Sequence, residues 1–191
     1  MKSLVEGTLP VQQINIVRHT ILEDGNFPNN GRLPLVVYRK ALRLPADEDR
    51  GKAVAEIFES NGWVNSWEDG IFDYHHYHSN AHEVLGIIQG SGRIQFGGPN
   101  GISLLLEEAD VVVIPVGVAH KNISEEGDLV CVGAYPLDQS YDLKRGLREE
   151  REEAVRNIDA VPLPEADPLY GVNGPLMKNW INEPGKIDDL P

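Results

Sequence analysis

Short apolar segments separated by turns fill the middle of this chain, and this pattern limits the fold more than any other feature. The candidate strands, joined by turns every eight to twelve residues, are Ile71–His78, Glu83–Gln89, Arg93–Phe96, Ile102–Leu106, Val111–Ile114 and Leu129–Tyr135. The sequence Gly97-Gly98-Pro99-Asn100-Gly101 is typical of a hairpin connection. No helical pattern lies between these segments, so we predict an all-β sandwich or barrel rather than a parallel α/β sheet.

The flanking segments lack this regular succession of short strands, so the chain divides into three parts. Residues 1–34 are predicted to form an N-terminal arm with a short strand at Val11–Val17, and residues 35–140 the barrel. Residues 141–191 are predicted to form a C-terminal helix and an irregular tail that wraps the domain. Leu143–Ile158 is dense in both charge signs, which favours a solvated helix there.

One further helix is predicted between the arm and the run of strands. Asp47 is a suitable N-cap for a helix over residues 48–60, and Asn61-Gly62 is a suitable stop. Val54, Ile57 and Phe58 give this segment an apolar stripe that can face the core. The few short helices therefore accompany the β fold without changing its class.

Composition excludes several partners. The 191 residues carry a net charge of −13, so the surface repels nucleic-acid phosphates and anionic membranes. No stretch approaches the roughly 20 apolar residues of a membrane span, and the N-terminus lacks the apolar core of a signal peptide. We therefore expect a cytoplasmic protein that binds neither nucleic acid nor membrane. Cys131 is the only cysteine, and it lies in an apolar run typical of a buried strand.

Five of the six histidines lie between positions 75 and 120. Residues two apart on a strand share a face, so His76 and His78 point one way and His75 the other. Glu83 opens the next strand after a tight turn that can return its carboxylate to the same point. Imidazole nitrogens with one carboxylate suit Fe, Mn, Ni, Zn or Cu better than Ca.

Two more histidines and three further side chains are candidates for this site. His82 is predicted to be a solvent-facing turn residue; the alternatives are a partner of a metal ligand, a substitute for Glu83 or a proton carrier. His75 is predicted to face outward, towards the arm. Three side chains either line a pocket or simply fill the barrel: Tyr74, Gln89 and Phe96.

The spacing around the histidines resembles the two cupin motifs. The first motif is matched at every fixed position. Gly70 is followed after five residues by His76-Tyr77-His78, after four more by Glu83 and after a further six by Gly90. The second is similar to the run from Asp110 to His120, with Pro115, Gly117 and His120 in place. Two positions depart from it: Ala109 stands where the family usually has Gly, and Ser124 where it has Asn. Both departures concern turn geometry and neither removes a ligand.

This resemblance implies a cupin fold, a double-stranded β-helix or jelly-roll barrel, with His76, His78, Glu83 and His120 as metal ligands. Further segments look like the YjlB-like branch of bacterial cupins: Phe27-Pro28-Asn29-Asn30, His75-His76-Tyr77-His78-Ser79-Asn80, Gly97-Gly98-Pro99-Asn100-Gly101 and Asp167-Pro168-Leu169-Tyr170-Gly171. Resemblance to that branch implies a metal site but does not indicate a substrate.

The resulting functional hypothesis is a small-molecule metalloenzyme that holds divalent Fe, Mn, Zn or Ni inside the barrel. Dioxygenase-like oxidoreductase chemistry and isomerisation both fit such a site. The alternatives are a non-catalytic cupin that binds or senses a metabolite, and a structural or storage role. A homodimer is expected, because cupins often pair barrels through sheets or N-terminal strands.

Overall fold

Two antiparallel sheets face each other in the computed structural model, which describes residues 15–46, 49–124 and 128–181. The strands within these ranges are β1 Asn15–Ile21, β2 Asn30–Arg39, β3 Trp63–Asp69, β4 Glu83–Gln89, β5 Ser91–Phe96, β6 Ile102–Glu107, β7 Val111–Ile114, β8 His120–Asn122 and β9 Val130–Pro136. The large sheet has the order β1-β2-β7-β4-β9-β3, and the small one β6-β5-β8. The predicted all-β class is confirmed.

The large sheet is covered on both faces, which explains why its central strands read as continuous apolar runs. All four residues of β7 are buried. Val112 and Ile114 pack in the cluster between the two sheets, whereas Val111 and Val113 pack in a second cluster on the outer face. Alternation therefore sends every second apolar side chain to a different core.

Two of the three helices in the described residues cover that outer face. The helices are α1 Arg50–Ser60, α2 Arg151–Ala160 and α3 Pro175–Ile181, with a 3₁₀ turn at Arg148–Glu150. Ala154 and Ile158 of α2 pack instead in a third cluster, with Phe27 and Tyr77. Val54 and Phe58 of α1, together with Trp180 of α3, belong to the outer cluster. The Trp180 indole donates to the carbonyl of Pro34, which ties α3 to β2. Within the described residues, no helix combines the length and hydropathy needed to cross a bilayer.

Several boundaries differ from prediction. The strand predicted at Ile71–His78 is wrong: this segment is irregular and makes only isolated bridges, while the preceding residues Trp63–Asp69 form β3. The charged helix α2 begins at Arg151, so the predicted helical start at Leu143 is also wrong.

The helix α1 begins at Arg50 and is capped by the Asp49 side chain, which accepts from the backbone N–H of Lys52. The predicted cap, Asp47, lies outside the described residues. The strand predicted at Val11–Val17 falls partly there as well, and β1 runs to Ile21. The division into arm, barrel and tail stays a prediction.

Candidate metal centre

The imidazoles of His76, His78 and His120 converge near an open end of the space between the sheets, and Glu83 lies against two of them. All four are buried, and the ligating nitrogens of the three histidines lie within 4.8 Å of one another. The Glu83 Oε2 atom lies 3.4 Å from Nε2 of His78 and 3.2 Å from Nε2 of His120. The structure thus brings the three predicted histidines together and places the carboxylate of the predicted Glu83 beside two of them.

Backbone pairing explains this convergence. The backbone N–H of His76 donates to the carbonyl of His120, and that of His120 donates back to His76. The chain is therefore extended at His76, so alternation places His78 on the same side and Tyr77 on the opposite side. Glu83 is the first residue of β4, where it faces inward with Leu85 and Ile87.

Each of the three imidazoles is oriented by a backbone carbonyl. The Nδ1 atoms of His76 and His120 lie 3.2 Å from the carbonyl oxygens of Tyr74 and Val118, and Nδ1 of His78 contacts the carbonyl of Asp142. A carbonyl oxygen only accepts, so Nδ1 carries the proton in each ring. The Nε2 lone pairs are consequently left facing the centre, as in protein sites that bind metal through Nε2.

Hydrogen-bond acceptors are concentrated in this centre. Glu83 Oε2 is buried without a hydrogen bond among the described residues, although two imidazole nitrogens lie close to it. A buried acceptor without a partner is costly, and several lone pairs directed at one point repel one another. A proton or a metal ion between them removes both costs, so this donor set fits a metal cation.

The charges of these groups respond to one another in the metal-free protein. Burial opposes ionisation of Glu83, but the His78 and His120 imidazoles outweigh it and lower the pKa of this carboxyl. Burial likewise acts against a charged His78, yet the Glu83 carboxylate raises its pKa. Burial and the neighbouring His120 lower the pKa of His76 to about 3, which keeps this ring neutral and able to bind a metal.

A cavity of about 310 Å³ opens beside these groups. Its walls combine the four candidate ligands with aromatic and apolar side chains and with residues 68–70 at the end of β3; the other lining residues are Trp67, Ile71, Phe72, Leu85, Tyr135, Tyr141 and Leu143. Phe72, Tyr141 and Leu143 are about half exposed and form the rim. The site is therefore open to a small molecule.

Trp67 and Tyr135 form the wall beside Glu83. The Trp67 ring packs across Gly133, where any side chain would collide with it, and its indole N–H donates to the Tyr135 hydroxyl at 3.0 Å. Burial and the nearby Glu83 carboxylate raise the pKa of Tyr135, so this hydroxyl stays protonated beside the carboxylate. Tyr141 stacks on Tyr135 with ring centres 4.5 Å apart.

The residues proposed from strand alternation as pocket lining lie elsewhere. Gln89 is exposed, Phe96 is buried in the cluster between the sheets, and Tyr74 stacks on Phe72 behind the cavity wall. Sequence reasoning missed Trp67, Tyr135 and Tyr141. The alternation within β3, a strand it did not identify, was the signal that could have found Trp67.

His82 and His75 occupy contrasting environments. The prediction of a solvent-facing His82 is wrong: this ring is fully buried, accepts from the backbone N–H of Val116 and packs on Trp180. The turn before β4 is covered by the C-terminal segment, which local sequence does not reveal. His75 does face outward, and its ring lies 5.4 Å from that of Phe27 in the predicted arm.

Asp142, from the segment after β9, holds the loop that carries His78. Its carboxylate accepts from the backbone N–H and the hydroxyl of Ser79, both at 2.6 Å, while its carbonyl contacts His78. Tyr77 and Lys144 add a backbone bridge between the same two segments. A residue beyond the barrel strands thus fixes a candidate ligand.

The sequence is similar to a known protein family and to a bacterial relative. Residues 69–138 match the sequence profile of the cupin family. The uncharacterized protein YjlB of Bacillus subtilis (strain 168) is 45% identical over 159 residues, which are 83% of this chain and 93% of that protein.

Solved structures show weaker similarity. Acireductone dioxygenase from Bacillus anthracis, with cadmium in its active centre, is 17% identical; the match covers 48% of this chain and 62% of that one, with a TM-score of 0.35. Oxalate decarboxylase of Bacillus subtilis is also 17% identical, with a TM-score of 0.32 and coverage of 71% of this chain and 29% of that one.

Proposed function

The chain belongs to the cupin family, in the branch of the Bacillus subtilis protein YjlB, and we propose that it is a metalloenzyme acting on a small molecule. In this proposal His76, His78, Glu83 and His120 hold one divalent ion of Fe, Mn, Zn or Ni. The ligand set mixes nitrogen and oxygen donors of the kind that first-row transition metals accept.

The observation that carries the proposal is the convergence of imidazole nitrogens beside a buried carboxylate oxygen that lacks a hydrogen bond among the described residues. Backbone carbonyls fix the proton of each imidazole on Nδ1, so the Nε2 lone pairs and Glu83 Oε2 face one another in a buried space. A buried histidine that served only to fill the core would direct at least one ring nitrogen to a protein donor. The arrangement instead suits a cation.

Four protein ligands leave one or two positions open on a five- or six-coordinate metal, and the cavity lies beside them. A bound metal would supply Lewis-acid or redox chemistry to a ligand that reaches it through oxygen. The Tyr135 hydroxyl, kept protonated and held by the Trp67 indole, can donate a hydrogen bond into the same space. Apolar side chains, among them Ile71 and Leu85, line part of that space.

Two reaction classes suit this geometry: oxidoreductase chemistry of the dioxygenase kind, and isomerisation of a polarised carbonyl compound. Both would use a metal with open positions beside a cavity that admits a small molecule. A non-catalytic cupin that senses a small metabolite would use the same cavity. Ligand-induced stabilisation without turnover would distinguish that alternative from an enzyme.

The first test is the metal content of protein purified without an affinity tag or added metal, measured by mass spectrometry. We expect about one equivalent of a transition metal per chain in the wild type, and its loss in a His76→Ala, His120→Ala double variant. A His75→Ala variant is the matched control, because His75 is adjacent in sequence but faces the arm.

Wild-type protein that binds no metal, even after incubation with each of the four ions, would rule out the metalloenzyme. Metal retained by the double variant would place the ion elsewhere in the chain. If one equivalent is found, its identity selects the next assay: oxygen uptake for iron or manganese, and isomerase substrates for zinc or nickel.

A further inference from the structure

The charge and shape of the cavity restrict which molecules it accepts. We infer that the substrate is a small molecule with one metal-binding oxygen head and a flat, apolar or aromatic body that carries no second anionic group. This inference rests on the proposed function. Sugar phosphates and dicarboxylates fall outside this class.

Aromatic rings form much of the cavity wall. Trp67, Tyr135 and Tyr141 line it, with Tyr135 and Tyr141 stacked at an interplanar angle of 17°. Phe72 lines it as well, edge-on to His76 and stacked on Tyr74. Aromatic walls favour planar ligands, because stacked rings gain both apolar burial and favourable quadrupole contacts.

The size of the cavity sets the upper limit on that ligand. Its volume of about 310 Å³ is at the low end of the range of about 300–1,000 Å³ typical of small-molecule sites. The half-exposed rim residues Phe72 and Tyr141 offer further apolar surface that a bound ligand would cover. A single ring with short substituents fits these dimensions.

No lysine or arginine lines the cavity in the described parts of the chain. The two cations nearest in sequence to its rim are engaged elsewhere: the Arg145 guanidinium lies 3.7 Å from the centre of the Tyr74 ring, and Lys144 pairs with Glu153 at 2.6 Å. A second anionic group on a ligand would therefore meet no counter-charge, and its desolvation would go uncompensated.

One acidic side chain adds repulsion at the rim. Asp69 ends β3 and lies on the same face of that strand as Trp67, with its carboxylate accepting from the backbone N–H of Gly70. Its neighbour Glu68 also borders the cavity, but its carboxylate lies against Gly51 at the start of α1. The two adjacent carboxylates thus provide a test residue and a matched control.

The test uses three catechols that share one metal-binding head and differ in side-group charge: protocatechuate (negative), 4-methylcatechol (neutral) and dopamine (positive). Zinc-loaded protein is used because zinc is redox-inert, so calorimetry reports binding rather than turnover. Each Kd is normalised to that of the same catechol for zinc in solution. Mass spectrometry of the dialysed protein checks that zinc stays bound.

We expect 4-methylcatechol and dopamine to bind at least about tenfold more tightly than protocatechuate, since a carboxylate near Asp69 and Glu83 meets like charges at low screening. Asp69→Asn should narrow this ratio severalfold, because it removes the rim charge and keeps the acceptor for Gly70. Glu68→Gln should leave the ratio unchanged.

Equal or tighter binding of protocatechuate would overturn the inference, as would a ratio that Asp69→Asn does not change. Zinc-loaded protein that binds none of the three catechols would also overturn it, while leaving the metal site intact. Failure to bind zinc in the first place would instead defeat the proposed function, and the inference with it.

Discussion

Histidines close together in this sequence have different physical states because their neighbours differ. His76 and His120 direct Nε2 into the candidate metal centre, with Nδ1 held by carbonyls. His82 precedes Glu83 by one residue but faces the outer core, where Nδ1 accepts from Val116 and the ring packs on Trp180. The residue type alone therefore does not identify a ligand; the partner of each ring nitrogen does.

His82 should make stability depend on pH. Burial lowers its pKa to about 3, against 6.5 for an unperturbed histidine, so the folded protein keeps this ring neutral. Between these values the unfolded chain binds one more proton, and the free energy of unfolding falls as pH drops through this window. From pH 6 to pH 5 the wild type should lose about 1 kcal/mol more than His82→Gln.

Urea denaturation of both proteins at pH 7, 6 and 5, in the presence of chelator, measures this difference. Glutamine retains an acceptor for Val116 and does not titrate, so the two stability curves should converge or cross as pH falls. Parallel curves would show that His82 is not neutral and buried as described.

The ligand residues were predictable from sequence because their convergence depends mostly on local geometry. Alternation pairs His76 with His78, and motif spacing adds Glu83 and His120. Trp67 and Tyr135 could not be assigned in this way, because they meet only through the pairing of β3 with β9. The burial of His82 depends on contacts with Trp180, nearly a hundred residues further along the chain.

At the level of elements, strands buried on both faces were the easiest to predict. The bounds of β4 and β7 agree with the apolar runs at Glu83–Gln89 and Val111–Ile114. The edge strand β3 was missed because its second half is polar and half-exposed. The three-residue strand β8 carries too few side chains for any periodic signal.

Gly86 sets how closely α1 packs on β4. A Cβ at this position would lie 3.0 Å from Val54 Cγ1 and 3.1 Å from Phe58 Cζ, so Gly86→Ala crowds the α1 side chains that pack on β4. We expect a loss of about 1–3 kcal/mol in the free energy of unfolding, as for other overpacked cores.

Gly70→Ala is the matched control, because a Cβ there would meet nothing closer than the carbonyl of Leu129 at 3.6 Å. Chemical denaturation of both variants tests the comparison. An equal cost for the two substitutions would show that α1 does not pack on β4 as closely as described.

The segment after β9 should support the metal centre through Asp142. Asp142→Ala removes both hydrogen bonds to Ser79 and frees the carbonyl that orients His78. Loss of such supporting groups lowers metal affinity about 10- to 100-fold, and we expect a decrease in this range. Competition with a chelator of known zinc affinity measures it.

Glu152→Gln is the control for this effect, since Glu152 pairs with Arg156 within α2 rather than with the segment that holds His78. It should retain wild-type zinc affinity. Full affinity in Asp142→Ala would show that the barrel alone positions His78, and that the segment after β9 is irrelevant to the centre.

For the whole molecule, the edges of the large sheet matter because its two faces are covered. In the described residues, the edge strands have backbone hydrogen-bonding groups on their outer side without a strand partner. The strand β1 lies at one edge and pairs only with β2 within the described residues. Arg18 and Thr20 are exposed while Val17 and His19 are half-buried, as expected for a strand with one face towards solvent. An edge of this kind offers hydrogen-bonding groups to a second copy of the chain.

We therefore expect a homodimer that pairs through the β1 edge, with a mass by light scattering of twice the 21.2 kDa chain. Each copy carries a net charge of −13, so the copies repel at low salt and association should strengthen as salt screens that charge.

Thr20 lies at a register shift in β1 and lacks a β2 partner there, so Thr20→Pro should disrupt the edge while sparing β1–β2 pairing. A monomeric mass at every salt concentration would contradict the dimer, and a dimer unaffected by Thr20→Pro would move the interface away from β1.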